Sequence, residues 1–172
     1  MTRSIYRPPW RIDVDVRDGV DPPVAITALT RAIRAALDEV RAPGPASIAL
    51  ILTDDAELAQ LNVHHMSHPG PTDVLSFPLL PPSAFLAGAR SPDVPRPPGS
   101  RIHLGDIVVS VERAVEQASM GRGGQTGDVR WSPADELRLL VTHGTLHICG
   151  RDHATPEDER AMRALEQRLL AD

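Results

Sequence analysis

SPADELRLLVTHGTLHICGRDH, residues 132–153, decides how this chain folds. Ser132 followed by Pro133 reads as a helix start. A serine hydroxyl can accept from a free backbone N–H of the first turn, and proline at the first helical position has no N–H to leave unpaired. Leu137, Leu140 and Val141 then recur at three- and four-residue spacing, on one apolar face. Gly150 should stop the helix, because glycine accepts the left-handed conformation that turns a helix end back on itself. A second start, Thr155-Pro156, follows at once, and Met162, Leu165 and Leu169 give that helix an inward face.

Upstream, strand and helix patterns alternate. Ile12, Val14 and Val16 have the period of a strand, and SIALILT (47–53) reads as a short buried one. Asp21-Pro22 predicts a helix start ahead of Ile26, Leu29, Ile33, Leu37 and Val40. Asp54 with Glu57 three residues on predicts a capped helix through Leu58 and Leu61. DVLSF (73–77) and DIVVSV (106–111) are β-rich, and Val111, Ala114, Val115 and Ala118 continue the second run as a helix. The expected architecture is α+β, a small mixed sheet of about four strands packed with about five helices, in one domain spanning 1–172. Seven prolines between Pro78 and Pro98 bar a helix or a central strand, so roughly 80–100 reads as a surface loop, either an idle insertion or a binding lid. GRGGQTGD (121–128) reads as a linker between helices.

Composition removes whole classes of chemistry. All 18 basic residues are arginine, which excludes a Schiff-base lysine, a P-loop lysine and a lysine general base. The 23 acidic residues leave a net charge of -5, so a wholly electrostatic nucleic-acid binder is not expected, although a local basic groove is compatible. One cysteine, Cys149, permits no internal disulfide and no multi-cysteine zinc finger. No apolar run is long enough to span a bilayer, and MTRSIYRPPW has no apolar core of a secretion signal; the expected location is the cytoplasm.

His143 and His147 are four residues apart on the predicted helix, so both rings leave one face a turn apart. Two such imidazoles can share one tetrahedral metal at about 2.0–2.1 Å. After Gly150 reverses the chain, His153 can return as a third ligand, leaving one position open for water, as catalytic zinc sites do. Zinc, one per chain, is the expected metal, though nickel, copper and iron accept the same ligands. Cys149, about 200° round the helix from His147 at 100° per residue, should point away. The spacing H-x3-H-x2-G-x2-H is also that of the metzincin peptidases, but their glutamate general base after the first histidine is here Gly144.

HGTLHICGRDH resembles the H-G-x-L-H-L-x-G-[YW]-D-H signature of the bacterial YbeY family of rRNA-maturation endoribonucleases. PTDVLSFP (71–78) and LGDIVVS (104–110) are similar to that family's other two motifs, so the resemblance covers roughly 47–170. It implies an α+β fold, zinc on His143, His147 and His153, hydrolysis of single-stranded RNA, maturation of the 16S rRNA 3′ end, and ribosome quality control with the small ribosomal subunit as partner. No DNA or membrane partner is expected. Two positions depart from the pattern. Arg151 replaces an aromatic residue, and Met66, counted from Asn62, stands where an N-x-x-Y-R segment carries an arginine thought to serve catalysis. His64, His65, His68 or a distant arginine would have to replace that charge.

Three further residues are candidates beside the metal. Asp73 and Ser76 lie on the strand that the resemblance puts there, Asp73 to orient RNA or water or merely to cap a loop. Asp106, at a strand start, is a candidate carboxylate to hold a ligand histidine by its ring N–H. Aromatic residues are only 3%, so arginine planes rather than many rings would meet the bases. Two other readings compete: a zinc peptidase-like hydrolase, and a ribosome-associated metal-binding factor with weak or no nuclease activity.

Overall fold

The computed structural model describes residues 2–66, 72–86, 97–120 and 131–171. In chain order the elements are β1 (Thr2–Arg7), β2 (Trp10–Val16), α1 (Ile26–Glu39), β3 (Ala46–Thr53), α2 (Asp55–Met66), β4 (Val74–Pro78), β5 (Ile102–Ser110), α3 (Val111–Ser119), α4 (Pro133–Ile148) and α5 (Pro156–Leu170). The strands form one sheet in the order β1-β2-β3-β5-β4. The inner three are parallel, and the edges β1 and β4 run antiparallel to their neighbours. Helix–strand alternation supplies the crossovers that parallel strands need. The fold is therefore α+β with a mixed sheet, as expected.

One face of the sheet is the main core. Ile12, Val14, Ile48, Leu50, Leu52, Ile107 and Val109 pack there under Leu29, Ile33 and Leu37 of α1 and Leu137, Val141 and Leu146 of α4. The other face carries a smaller cluster of Leu58, Leu75 and Val108, covered by α2. A bulge in β5 separates the two faces locally. Ser47 and Ala49 of β3 sit opposite His103 and Asp106, so β5 has one extra residue between them. Gly105 takes φ 148°, and a Cβ there would strike the Phe77 carbonyl oxygen. The extra residue resets the alternation, so that Leu104 and Ile107 both join the main core.

Among the described residues the sheet has five strands rather than about four. β1 is the additional one, and its residues, TRSIYR, are mostly exposed, which leaves no alternating apolar signal. α1 begins at Ile26, not at Asp21-Pro22, with Ala25 extended before it. Pro23 disfavours helical backbone at Pro22, so the double proline delays the start. Within the proline-rich stretch, Pro82–Phe85 form a 3-10 turn that buries Ala84 and Phe85. Residues 87–96 of that stretch, and 121–130 of the glycine-rich one, lie outside the described residues.

Candidate metal centre

α4 is placed by its two ends and by one glycine. Ser132 Oγ accepts from Asp135 N while the Asp135 carboxylate accepts from Ser132 N, a reciprocal cap. In mid-helix, a Cβ on Gly144 would lie 2.7 Å from Ile107 Cγ2 and 3.1 Å from Val74 Cγ2, so only glycine lets the helix sit this close to the sheet. Ser76 Oγ donates to the Gly144 carbonyl at 3.0 Å and ties the helix to β4. Gly150, at φ 75°, ends the helix, with Gly150 N donating to His147 O and Arg151 N to Leu146 O.

This frame brings His143, His147 and His153 together. One ligand atom from each lies within 4.8 Å of the others, the one such group among the described residues. His143 Nε2 and His147 Nε2 are 3.0 Å apart. Tetrahedral zinc sets its nitrogens roughly 3.3 Å apart, so the pair fits a metal with little motion. His143 Nδ1 meets Glu166 Oε1 of α5 at 2.6 Å. A carboxylate accepts, so Nδ1 carries the proton, and in the neutral ring Nε2 is left as the lone pair facing His147. Burial, reinforced by His143 and then His153, pushes the His147 pKa down to about 4, which keeps its ring in the ligating form at neutral pH. The residues present fit a divalent metal with three nitrogen ligands and an open side.

The three rings open into a cleft of about 1180 Å³ between β4, α4 and α5. Asp73 and Ser76 line it with them, and Asp73 Oδ2 accepts from Gln117 Nε2 at 3.0 Å. Asp106 does not: the β5 bulge turns it to the other face of the sheet, where its Oδ1 meets His103 Nε2 at 2.8 Å. The histidine it holds is His103, not one of the three that converge, so its expected place beside them is not the one it takes. Cys149 is 2% exposed in the main core, and burial pushes its thiol up to about 12. His65 packs its edge against Phe77, and Phe77 alternates with Ser76 along β4, so His64 and His65 sit on the face away from the cleft. His68 lies outside the described residues, and Met66 is the last residue of α2.

Two site residues escaped the sequence reading. Glu166 is four residues after Met162, on the inward face of α5; a carboxylate within a buried stripe was its signal. Arg163 is the one arginine among the described residues that lines the cleft, paired there with Glu159 at 2.6 Å.

A family model described as Endoribonuclease YbeY matches residues 17–172. The endoribonuclease YbeY of Thermobifida fusca is 38% identical over 160 residues, covering 93% of this chain and 93% of that protein. That of Mycobacterium ulcerans is 39% identical over 159 residues, covering 92% of this chain and 80% of its own length. A solution structure of a Thermotoga maritima protein aligns with a TM-score of 0.52 at 22% identity, over 94% of this chain and 86% of that one, a likeness of fold.

Proposed function

Because the chain belongs to the YbeY endoribonuclease family, we propose that it is a single-strand-specific endoribonuclease that depends on one zinc ion held by His143, His147 and His153. It is a hydrolase acting on RNA phosphodiester bonds in rRNA processing. The proposed setting is maturation of the 16S rRNA 3′ end and ribosome quality control in the cytoplasm, with the small ribosomal subunit as partner. No helix among the described residues is long and apolar enough to cross a membrane. The observation that carries the reading is the convergence of three imidazoles at an open cleft, with a carboxylate fixing the proton of one of them.

Zinc bound there would polarise a phosphoryl oxygen and lower the pKa of water toward about 7. The chain's own residues do the rest. Glu166 holds the His143 ring in the tautomer that presents Nε2. Arg163 brings the cleft's one described guanidinium to the phosphate backbone, exchanging its Glu159 partner for a phosphate oxygen, and so stands in for the arginine absent at Met66. Asp73, steadied by Gln117, is the carboxylate placed to orient RNA or water. Ser76 spends its hydroxyl proton on the Gly144 carbonyl and so seats α4 on the sheet.

The peptidase reading needs a glutamate at position 144, and its Cβ would stand 2.7 Å from Ile107 Cγ2 and 3.1 Å from Val74 Cγ2, where the packed helix leaves no room for one. The test is incubation of the purified protein with single-stranded RNA, its duplex and an unstructured peptide, before and after chelation. Cleavage of the single strand alone, lost on chelation and restored by zinc, is the expected result. Peptide hydrolysis with RNA intact would overturn the nuclease in favour of the peptidase; metal bound with neither substrate cut would leave the non-catalytic factor.

A further inference from the structure

We propose that Trp131 is the platform on which an unpaired base of the substrate stacks beside the metal centre, and that this ring sets the preference for single strands. The inference rests on the endoribonuclease reading and adds to it the group that recognises the base.

The chain has five aromatic residues, two Trp, two Phe and one Tyr. Trp10 and Phe85 are buried in the core. Tyr6 lies under the Arg101 guanidinium, 5.8 Å from its ring centre, and Phe77 is in edge contact with His65 on the far face. Trp131 alone among the described aromatics lines the cleft that holds the three histidines, and it is half-buried there. Its orientation is fixed. The indole N–H donates to Glu136 Oε2 at 2.6 Å, and Glu136 is fully buried on α4, two turns before His143 on the same helix. The next residue, Ser132, is pinned by the α4 cap. A rigid π-face is thus held by the helix that carries two of the three metal-binding histidines.

Unpaired bases can be splayed out and stacked on such a ring, whereas bases inside a duplex are already stacked and out of reach. Every base has a π-face, so the ring selects strandedness without selecting sequence. Arg163, lining the same cleft, meets the backbone while Trp131 meets the base.

The experiment uses the zinc-loaded full chain and intrinsic tryptophan fluorescence. Trp10 is 3% exposed, with its own N–H bonded to Asp38, so quenching by added nucleic acid reports Trp131. The probes are a single-stranded 2′-O-methyl oligonucleotide, the same strand with abasic positions, and its duplex. The native chain should be quenched by the single strand and much less by the other two. Trp131→Leu should bind the single strand roughly ten- to hundredfold more weakly and raise KM for RNA to match. Trp131→Phe, which keeps a π-face but loses the bond to Glu136, should stay within a few-fold of native. An unchanged affinity and strand preference in Trp131→Leu would overturn the inference, and so would an equal loss in the Phe variant, which would assign the effect to the Glu136 bond. A native chain that neither binds nor cuts single-stranded RNA would remove the endoribonuclease reading as well; cutting without quenching would remove the platform alone.

Discussion

Two histidine–carboxylate pairs sit on opposite faces of the same sheet. On the face covered by α1 and α4, His143 Nδ1 meets Glu166 of α5 at 2.6 Å; on the other, His103 Nε2 meets Asp106 at 2.8 Å. Their difference lies in the second nitrogen. His103 Nδ1 is engaged by Ser47 Oγ at 2.9 Å, so both of its nitrogens are committed within the protein. His143 Nε2 instead faces His147 Nε2, with the His153 ring 5.8 Å away centre to centre. A carboxylate partner therefore does not by itself single out a candidate metal site; ring nitrogens that converge on one another do.

Removing a converging ring is the strongest way to test that contrast. His143→Ala or His147→Ala should cut bound zinc from about one per chain to nearly none, read by elemental analysis after dialysis. His103→Ala should keep it, and so should Cys149→Ser, whose side chain packs in the core. Zinc retained in both ligand variants, or lost with His103, would erase the distinction between the two faces.

Changing the carboxylates probes the same contrast more gently. Glu166→Gln leaves the ligands in place but gives up the charged acceptor of the His143 N–H, and should weaken zinc about ten- to hundredfold in a competition titration with a chromophoric chelator. Asp106→Asn should leave zinc affinity unchanged. Equal effects of the two would mean that the Glu166 contact does not orient His143.

How far the sequence reached follows the same division. The spacing of His143, His147 and Gly150 contains the geometry of the centre, because a helical turn and a glycine stop are local. Asp106 was misplaced because its direction depends on one extra residue between His103 and Asp106, and the one mark of that bulge in the sequence is a single glycine, Gly105, inside the strand pattern. Glu166 was missed because its partner is 23 residues away on another helix. β1 was missed because an exposed edge strand has no alternation to read.

The helices on the two faces are also held differently, and Gly144→Ala probes the tighter one. The new Cβ would stand 2.7 Å from Ile107 Cγ2 and 3.2 Å from Ser76 Oγ, so α4 must lift from the sheet. Overpacking of this kind costs about 1–3 kcal/mol, which urea denaturation would register. A variant as stable as the native chain would show that α4 has room to shift, and that the peptidase glutamate was not excluded by packing at this position.

The smallest effect is expected on the opposite face, where α2 is tied down by exposed charge. Arg17 donates from Nη2 to Glu57 Oε1 at 2.7 Å and from Nε to Oε2 at 3.0 Å, joining the end of β2 to the first turn of α2. The Arg17 hydrogen bond, opposed by burial, holds the Glu57 carboxyl below its ordinary value of 4.5. A carboxyl group lowered on folding adds stability above its unfolded pKa and loses it as pH falls through the folded one. The two side chains are 42% and 33% exposed, so solvent screens the pair to about 0.5 kcal/mol. Glu57→Gln should therefore be less stable than native by about that amount at pH 7, and the gap should close as pH falls below 4.5 and the native carboxyl takes up its proton. Urea titrations at pH 7 and pH 3 make the comparison. A gap that stays the same at both would trace the loss to packing at the start of α2 rather than to its charge, and the two faces would then be held by the same kind of force.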